Sequence, residues 1–402
     1  MRFLIISQYY RPDITAAAFR IAETADVLST EGHEVRVITA EPHRVQAEGA
    51  APGDEPGTGP IVERVPIRPL EGSGMRPYLR HFLSFVRNAR RRGRQLLRSG
   101  YQPDVIWVSS PPLFVGLAGT ALARRSRAPL ILDVRDVWPD TAVAAGQISQ
   151  GGRAYRLGRL LERHLYRKAS AISCVADPMA EYLAQQLDPQ QKPIEICYNG
   201  IGYDPPPPSS ADTVEQTVVY AGNLGRLQGV DALIHGWEQA VAGDPAGLAG
   251  WKLSIIGSGV MEAELREQAR SAGIAERVEF RGVLSKEQTL VETSRAGMLF
   301  FNLTDHPVFA LTIPSKLFDY LATGRPVIAG IIGEGRSIVE SVPGNRTVRP
   351  HSPEEIARAI LELAGSPDWR EPRIENQELV RTRFSRRSAT GKLVELSRAV
   401  SS

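Results

Sequence analysis

Short apolar runs alternate with longer mixed stretches from the first residues of this chain onward. Phe3 to Ser7 is strand-like; a polar loop follows, and then a helical stretch from about Ala17 to Glu31 that stops before Gly32. His33 to Thr39 is a second apolar run, so the chain opens as a βαβ unit. Further strands are expected at Val105 to Val108, Leu130 to Val134, Ala171 to Val175 and Ile194 to Cys197, with helices between most of them. Strands separated by helices imply a mainly parallel sheet covered on both faces. Ala47 to Pro60, rich in Gly, Pro and Glu, reads as a flexible surface loop.

The pattern breaks at Tyr203 to Asp212 (YDPPPPSSAD), where consecutive prolines exclude both a helix and a central strand. A second βα series then runs through Thr217 to Tyr220, Lys252 to Ile256, Val278 to Arg281, Ala296 to Phe301 and Pro326 to Ala329, ending in a helix from Pro353 to Leu363. At 402 residues the chain suits two cores rather than one. The expected division is an amino-terminal domain over 1–202, a linker over 203–216 and a carboxyl-terminal domain over 217–372. A helical tail over 373–402 is expected to cross back onto the first domain. Both halves read as doubly wound α/β domains, whose ligands bind at the carboxyl ends of the strands, so the expected site is a cleft between them.

Composition is that of a globular protein, with 42% hydrophobic and 23% charged residues. Cys174 and Cys197 fall in apolar runs and read as buried reduced thiols rather than a disulfide or metal site. No secretory signal or membrane-spanning run is expected, which points to the cytoplasm. The net charge is only +3, but it is unevenly placed. Arg76 to Arg98 holds Arg80, Arg87, Arg90, Arg91, Arg92 and Arg94 with no acidic residue. Arg153, Arg156, Arg159, Arg163, Arg167 and Lys168 recur at helical spacing, while Leu157, Leu160, Leu161 and Leu165 line another face. A solvated helix surface and an anionic membrane surface both fit this pattern. Nucleic acid fits poorly, because neither zinc-finger spacing nor aromatic interleaving is present.

Chemistry concentrates in loops after strands. Ala221 to Gly229 (AGNLGRLQG) can turn tightly at Gly222 and offer Arg226 to a diphosphate; a plain βα turn is the alternative. Ile256 to Gly259 (IGSG) supplies Gly257 but no full GxGxxG, and no GxxxxGK[ST] loop exists, which argues against NAD, FAD and P-loop enzymes. Phe301 to Ile328 is the most informative segment. Thr312, Ile313 and Pro314 lead into a helix start at which Ser315 could cap and Lys316 could meet an anion. Asp319, three residues on, shares the face of Lys316. A surface ion pair is the competing reading. In LILDVRDVWPD, Asp133 reads as loop support, whereas Arg135 or Asp136 can face a ligand. With no DxD triplet and scattered histidines, no metal is expected.

Taken together, ISQYYRPDITAAAFRIAETADVLSTEGHEVRVIT, DVRDVWPD, YAGNLGRLQGVDALI, KLSIIGSG, FRGVLSKEQ and IPSKLFDYLATGRPVIA resemble the large retaining glycosyltransferase family of GT-B architecture, family 4-like. More narrowly they resemble the branch that adds N-acetylated aminosugars, N-acetylfucosamine among them, to surface-polysaccharide or O-antigen units. The resemblance implies two Rossmann-like domains facing a central cleft, with a UDP-sugar donor on the second and no metal or tightly bound cofactor. It places Asp319 on the ribose, where the family has the second glutamate of its E-x7-E motif, with Leu311 at the first. Asn223 and Gln228 stand where the family has arginine and lysine, leaving Arg226 and Lys316, with backbone N–H groups of Thr312 to Ser315, to hold the diphosphate. Val283 and Leu284 would line the base. Arg135-Asp136 replaces a His-Asp pair, the arginine stabilising charge and Asp136 orienting the acceptor. Thr15, Ala16 and Arg20 would approach the donor phosphates. The implied acceptor is a polyprenyl-diphosphate-linked saccharide, used at the inner face of the cell membrane, with front-face attack assisted by the leaving phosphate. A noncatalytic nucleotide-sugar binder and a UDP-sugar epimerase are the alternatives.

Overall fold

The computed structural model describes residues 1–43, 59–71, 75–187 and 192–401; most of the loop expected at Ala47 to Pro60 lies outside them. The chain forms two compact units. Met1–Gly202 with Arg386–Ser402 makes the first, and Tyr203–Ser385 the second.

The first unit is built on a parallel sheet of β1 (Arg2–Ile6), β2 (Glu34–Ala40), β3 (Ile61–Val65), β4 (Val105–Ser110), β5 (Leu130–Val134), β6 (Ala171–Cys174) and β7 (Ile194–Ile196). The strand order is β3-β2-β1-β4-β5-β6-β7, so the order reverses beside β1, between the carboxyl ends of β1 and β4. Every residue of β4 and β5 is buried, as expected for strands covered by helices on both faces. β3 escaped the sequence reading because it is an edge strand with polar positions and only Val65 fully buried. Cys174 and Cys197 are buried and free, and burial pushes both thiols up to about 12.

In the second unit, β8 (Thr217–Ala221), β9 (Lys252–Ile256), β10 (Val278–Gly282), β11 (Met298–Asn302), β12 (Val327–Gly330) and β13 (Arg346–Val348) pair in the parallel order β10-β9-β8-β11-β12-β13. β13 is a short, half-polar edge strand that the pattern did not reveal. Helices Val230–Gly243 and Pro353–Ala364 approach closely on this sheet, because Gly236 has no Cβ to strike Ile356, 2.7 Å from where that carbon would stand.

The tail divides. Helix Ile374–Arg383 belongs to the second unit, whereas helix Arg386–Ser401 packs Leu393, Val394 and Leu396 into the first unit's core with Ile21, Ala25 and Leu28. On helix Arg153–Lys168 the expected leucine stripe is only half buried. Leu165 is enclosed, but Leu157 and Leu160 are 66% and 62% exposed, because the helix packs through Gly158, Glu162, Leu165 and Tyr166 instead.

Candidate active site

In the second unit the candidate residues gather where β8, β9 and β10 end. Gly222 N–H donates to Ile256 O at 2.8 Å, Gly257 N–H to Gly282 O at 2.7 Å and Leu224 N–H to Ser258 O at 2.9 Å, so the three strand-end loops interlock. Gly257 has φ +126°, and a Cβ there would overlap the Gly222 carbonyl. Its glycine requirement thus comes from loop-on-loop packing.

Lys316 stands in the first turn of helix Ser315–Ala322. Tyr320, on the same helix, accepts the Ala221 N–H at 2.7 Å and so fastens the helix to the end of β8. From behind, Gln377 donates to Ala322 O at 3.0 Å and Phe318 packs on Phe384 at 4.6 Å, which makes helix Ile374–Arg383 a buttress of the site. The result holds the Lys316 ammonium 4.0 Å from the Tyr220 ring centroid and against Gly222. Desolvation pushes its pKa down to about 7, opposed by Asp319. Ser315 is not the cap: it is already helical, Pro314 occupies the cap position, and no side chain covers the helix N-terminus. Backbone N–H groups at such an end attract an anion.

The remaining calls spread around this centre. Asp319 is partly buried and accepts from the Tyr203 hydroxyl at 3.1 Å. Arg226 is exposed in a single turn, Arg226–Gln228. Asn223 and Gln228 are brought together at 3.5 Å, a neutral pair. Val283 follows β10 and is 45% exposed, with Leu284 beside it. Thr312 and Ile313 lead into Pro314, and Leu311 ends the turn Pro307–Leu311. Sequence reasoning missed Asn302, at the end of β11, whose Nδ2 is buried without a hydrogen-bond partner and whose Oδ1 accepts from His351 N–H at 3.1 Å.

In the first unit, Asp133 at the end of β5 is fully buried. It accepts from Arg20 at 2.8 and 3.1 Å, from Ser173 at 2.9 Å and from Ser109 at 3.4 Å. Arg20, expected beside donor phosphates, is instead 2% exposed, and its third nitrogen donates to Tyr198 O. A guanidinium so enclosed, with each of its three nitrogens already donating within the unit, is a structural partner of Asp133 rather than a group open to a ligand, and this corrects its assignment. Thr15 spends its hydroxyl capping helix Ala16–Thr30 through Ala18 N–H, with Ala16 exposed in the first turn. Arg135 Nε donates to Ser109 at 3.0 Å, and burial lowers its pKa to about 10, so it is a cation at neutral pH. Burial raises the Asp136 pKa while Thr141 donates to its carboxylate. Also missed were Gln8, whose amide nitrogen lies 3.3 Å from His43 Nε2 and 3.1 Å from His81 Nε2, and Tyr9, stacked on His43 at 5.5 Å. Gln8, Tyr9, His43 and Asn302 each sit at or just beyond a strand's carboxyl end, which is the signal that could have found them. Among the described residues no group of three or more His, Cys, Asp or Glu could hold a metal ion.

Residues 15–200 match the glycosyl transferase 4-like domain, and residues 215–366 match the glycosyl transferases group 1 domain. WcaI of Escherichia coli strain K12, whose name assigns it to glycosyl transfer in colanic acid biosynthesis, is 24% identical over 397 residues, spanning 90% of this chain and 91% of its own. Among solved structures, the sucrose-phosphate synthase of Thermosynechococcus elongatus superposes with a TM-score of 0.71 at 17% identity, covering 100% of this chain and 99% of that one. Anabaena HepE, solved with UDP and glucose, superposes with a TM-score of 0.69 at 15% identity, covering 99% and 100%. The chain belongs to the GT-B glycosyltransferases, in the family that these two domains define, and it is an enzyme of glycosyl transfer.

Two outcomes follow from the buried charges. Asp133→Asn leaves the Arg20 guanidinium enclosed without a counter-charge and should destabilise the first unit by about 3–5 kcal/mol in urea unfolding. For Lys316 the sign is set by a pKa near 7 that a bound anion raises. Above pH 7, binding must take up a proton, so affinity for UDP falls as pH rises, by up to about tenfold per unit until the pKa of the complex is reached. Calorimetry of UDP binding between pH 6 and 9 should show this slope in the parent and not in Lys316→Met.

Proposed function

We propose that this glycosyltransferase moves a sugar, an N-acetylated aminosugar, from a UDP-sugar to a lipid-linked saccharide during surface-polysaccharide synthesis, with retention at the anomeric carbon. One observation carries the reading: Lys316 is held partly buried in the first turn of a helix with no side-chain cap, at the end of β8. A desolvated cation beside free helix N–H groups is costly until an anion arrives, and a diphosphate supplies two charges there. The UDP held by HepE supports a uridine nucleotide, and the name of WcaI supports polysaccharide synthesis.

As the glycosyl–phosphate bond breaks, negative charge grows on the leaving diphosphate. Lys316 and the N–H groups of Ser315 and Lys316 would bind that charge more tightly than they bind the ground state, which lowers the barrier. Arg226, exposed on the neighbouring loop, would add a second cation on the phosphates. Asp319 would take a ribose hydroxyl while Tyr203 orients its carboxylate. Val283 and Leu284 would cover the base. In the first unit, Arg135 would stabilise charge and Asp136 orient the acceptor hydroxyl, with Asp133 and Ser109 fixing the arginine. No carboxylate is assigned as a covalent nucleophile; the leaving phosphate assists attack on the same face. A polyprenyl-diphosphate-linked acceptor would bring the enzyme to the inner face of the cell membrane.

The test is transfer from UDP-sugars, UDP-N-acetylglucosamine and UDP-glucose among them, to a polyprenyl-diphosphate-linked saccharide, with the product anomer read by NMR. Lys316→Ala should lower turnover by roughly 100- to 1000-fold, as loss of one charge-stabilising donor does. Asp319→Asn should weaken the donor more than the acceptor. Transfer from GDP-mannose but not from UDP-sugars, or a product of inverted configuration, would overturn the donor or the mechanism respectively.

A further inference from the structure

A groove of about 1650 Å³ opens on the first unit, away from the residues assigned to chemistry. It is lined by Leu130, the first residue of β5, and by Ser170, just before β6, so it lies at the amino ends of strands whose carboxyl ends carry Asp133 and Arg135. Arg87, Arg90, Arg91 and Arg94 of helix Met75–Arg98 form one wall. Arg124, Arg125 and Arg127, at the end of helix Val115–Ser126, form the other, and Lys168 closes it. No carboxylate lines the groove, and among the described residues none of these eight cations is in an ion pair. On the same helix Arg92, outside the groove, is paired with Glu63 at 2.7 Å. Side chains at Leu83, Val86, Leu117 and Ala121 make the lining apolar between the charges, with Leu83 45% exposed.

We propose that this groove receives the phosphate headgroups of an anionic bilayer and that Leu157 and Leu160 enter the bilayer beside it. Eight converging cations without a carboxylate repel one another until phosphates neutralise them. Helix Arg153–Lys168 decides which phosphates. Leu157, Leu160, His164 and Lys168 follow one another at steps of three and four residues and so share a stripe, and His164 and Lys168 line the groove. The exposed leucines therefore continue the groove's own surface, and an apolar ridge flanked by arginines fits a lipid interface. A single-stranded nucleic acid would also need a run of rings to stack on, and no Phe, Tyr or Trp lines the groove. Docking here rests on the reading that the acceptor is carried by lipid. It leaves the carboxyl ends of the strands open to substrates.

Sedimentation of the full chain with vesicles of 30% phosphatidylglycerol in phosphatidylcholine tests this. Arg91, Arg94 and Arg125 are exposed and outside the core, so Arg91→Gln/Arg94→Gln/Arg125→Gln should fold normally and bind the vesicles roughly 100-fold more weakly, at about 1 kcal/mol per charge. Leu157→Gln/Leu160→Gln should remove the part of binding that survives 1 M salt. Transfer to a water-soluble acceptor should be unchanged in both. Equal binding by parent and arginine variant, equal binding to pure phosphatidylcholine, or preference for a single-stranded oligonucleotide at the same salt would overturn the assignment. Loss of transfer to the soluble acceptor would place the groove in the reaction site instead. A parent that binds vesicles but transfers no sugar would sink the lipid-acceptor reading and leave the docking surface standing.

Discussion

The Arg20–Asp133 pair organises the first unit. Asp133 ends a strand in the middle of the sheet with no exposure at all, a position where an unpaired carboxylate would cost several kcal/mol. Arg20, carried in by the first helix, satisfies it from one side, and Ser173 and Ser109, at corresponding positions on the flanking strands, satisfy it from the others. The pair fixes how helix Ala16–Thr30 approaches β5 and β6. Through Ser109 it also fixes Arg135, whose Nε stands 3.6 Å from the same carboxylate. The strand ends that carry the candidate acceptor residues are thus held by one satisfied buried charge pair.

The second unit meets the same constraint differently. Lys316 is also withdrawn from water, yet it is held against an aromatic ring and a glycine, at a helix end that no side chain caps. Asp319, one helical turn on, accepts from Tyr203. Everything around Lys316 serves to hold that geometry: Tyr320 ties the helix to β8, the interlocked glycine loops close the floor, and Gln377 and Phe384 brace the far end. A charge that the fold holds in place with only a partial counter-charge from Asp319 is what the proposed diphosphate site rests on, whereas the fully hydrogen-bonded Arg20–Asp133 pair is structural.

Much of this was legible in the residues. The alternation of apolar runs with helical stretches marked most strands of both sheets, since parallel strands buried on both faces are continuous apolar segments wherever they occur. Prolines at Tyr203 to Asp212 marked a break in the pattern. Lys316, Asp319, Arg135 and Asp136 stood out because charge beside an apolar strand or at a helix start is unusual in itself. Asp133 was readable as support because it is embedded in the strand. The edge strands Ile61–Val65 and Arg346–Val348 were not readable, because a half-exposed strand carries too little apolar signal.

Tertiary structure alone decided the partners. Arg20 looks like any helical arginine until a carboxylate 113 residues away is folded against it. Gly257 looks like a cofactor glycine until the Gly222 carbonyl takes the space of its missing Cβ. Leu157 and Leu160 have the spacing of core leucines, and only the docking of their helix through Gly158, Glu162 and Tyr166 turns them outward. Eight cations from three helices become one groove for the same reason. Periodicity and turn chemistry act between near neighbours in the chain, so the sequence determined where elements lie and which carry charge. Burial and pairing act between residues brought together through space, so only the fold decided which charges are spent and which remain for a ligand.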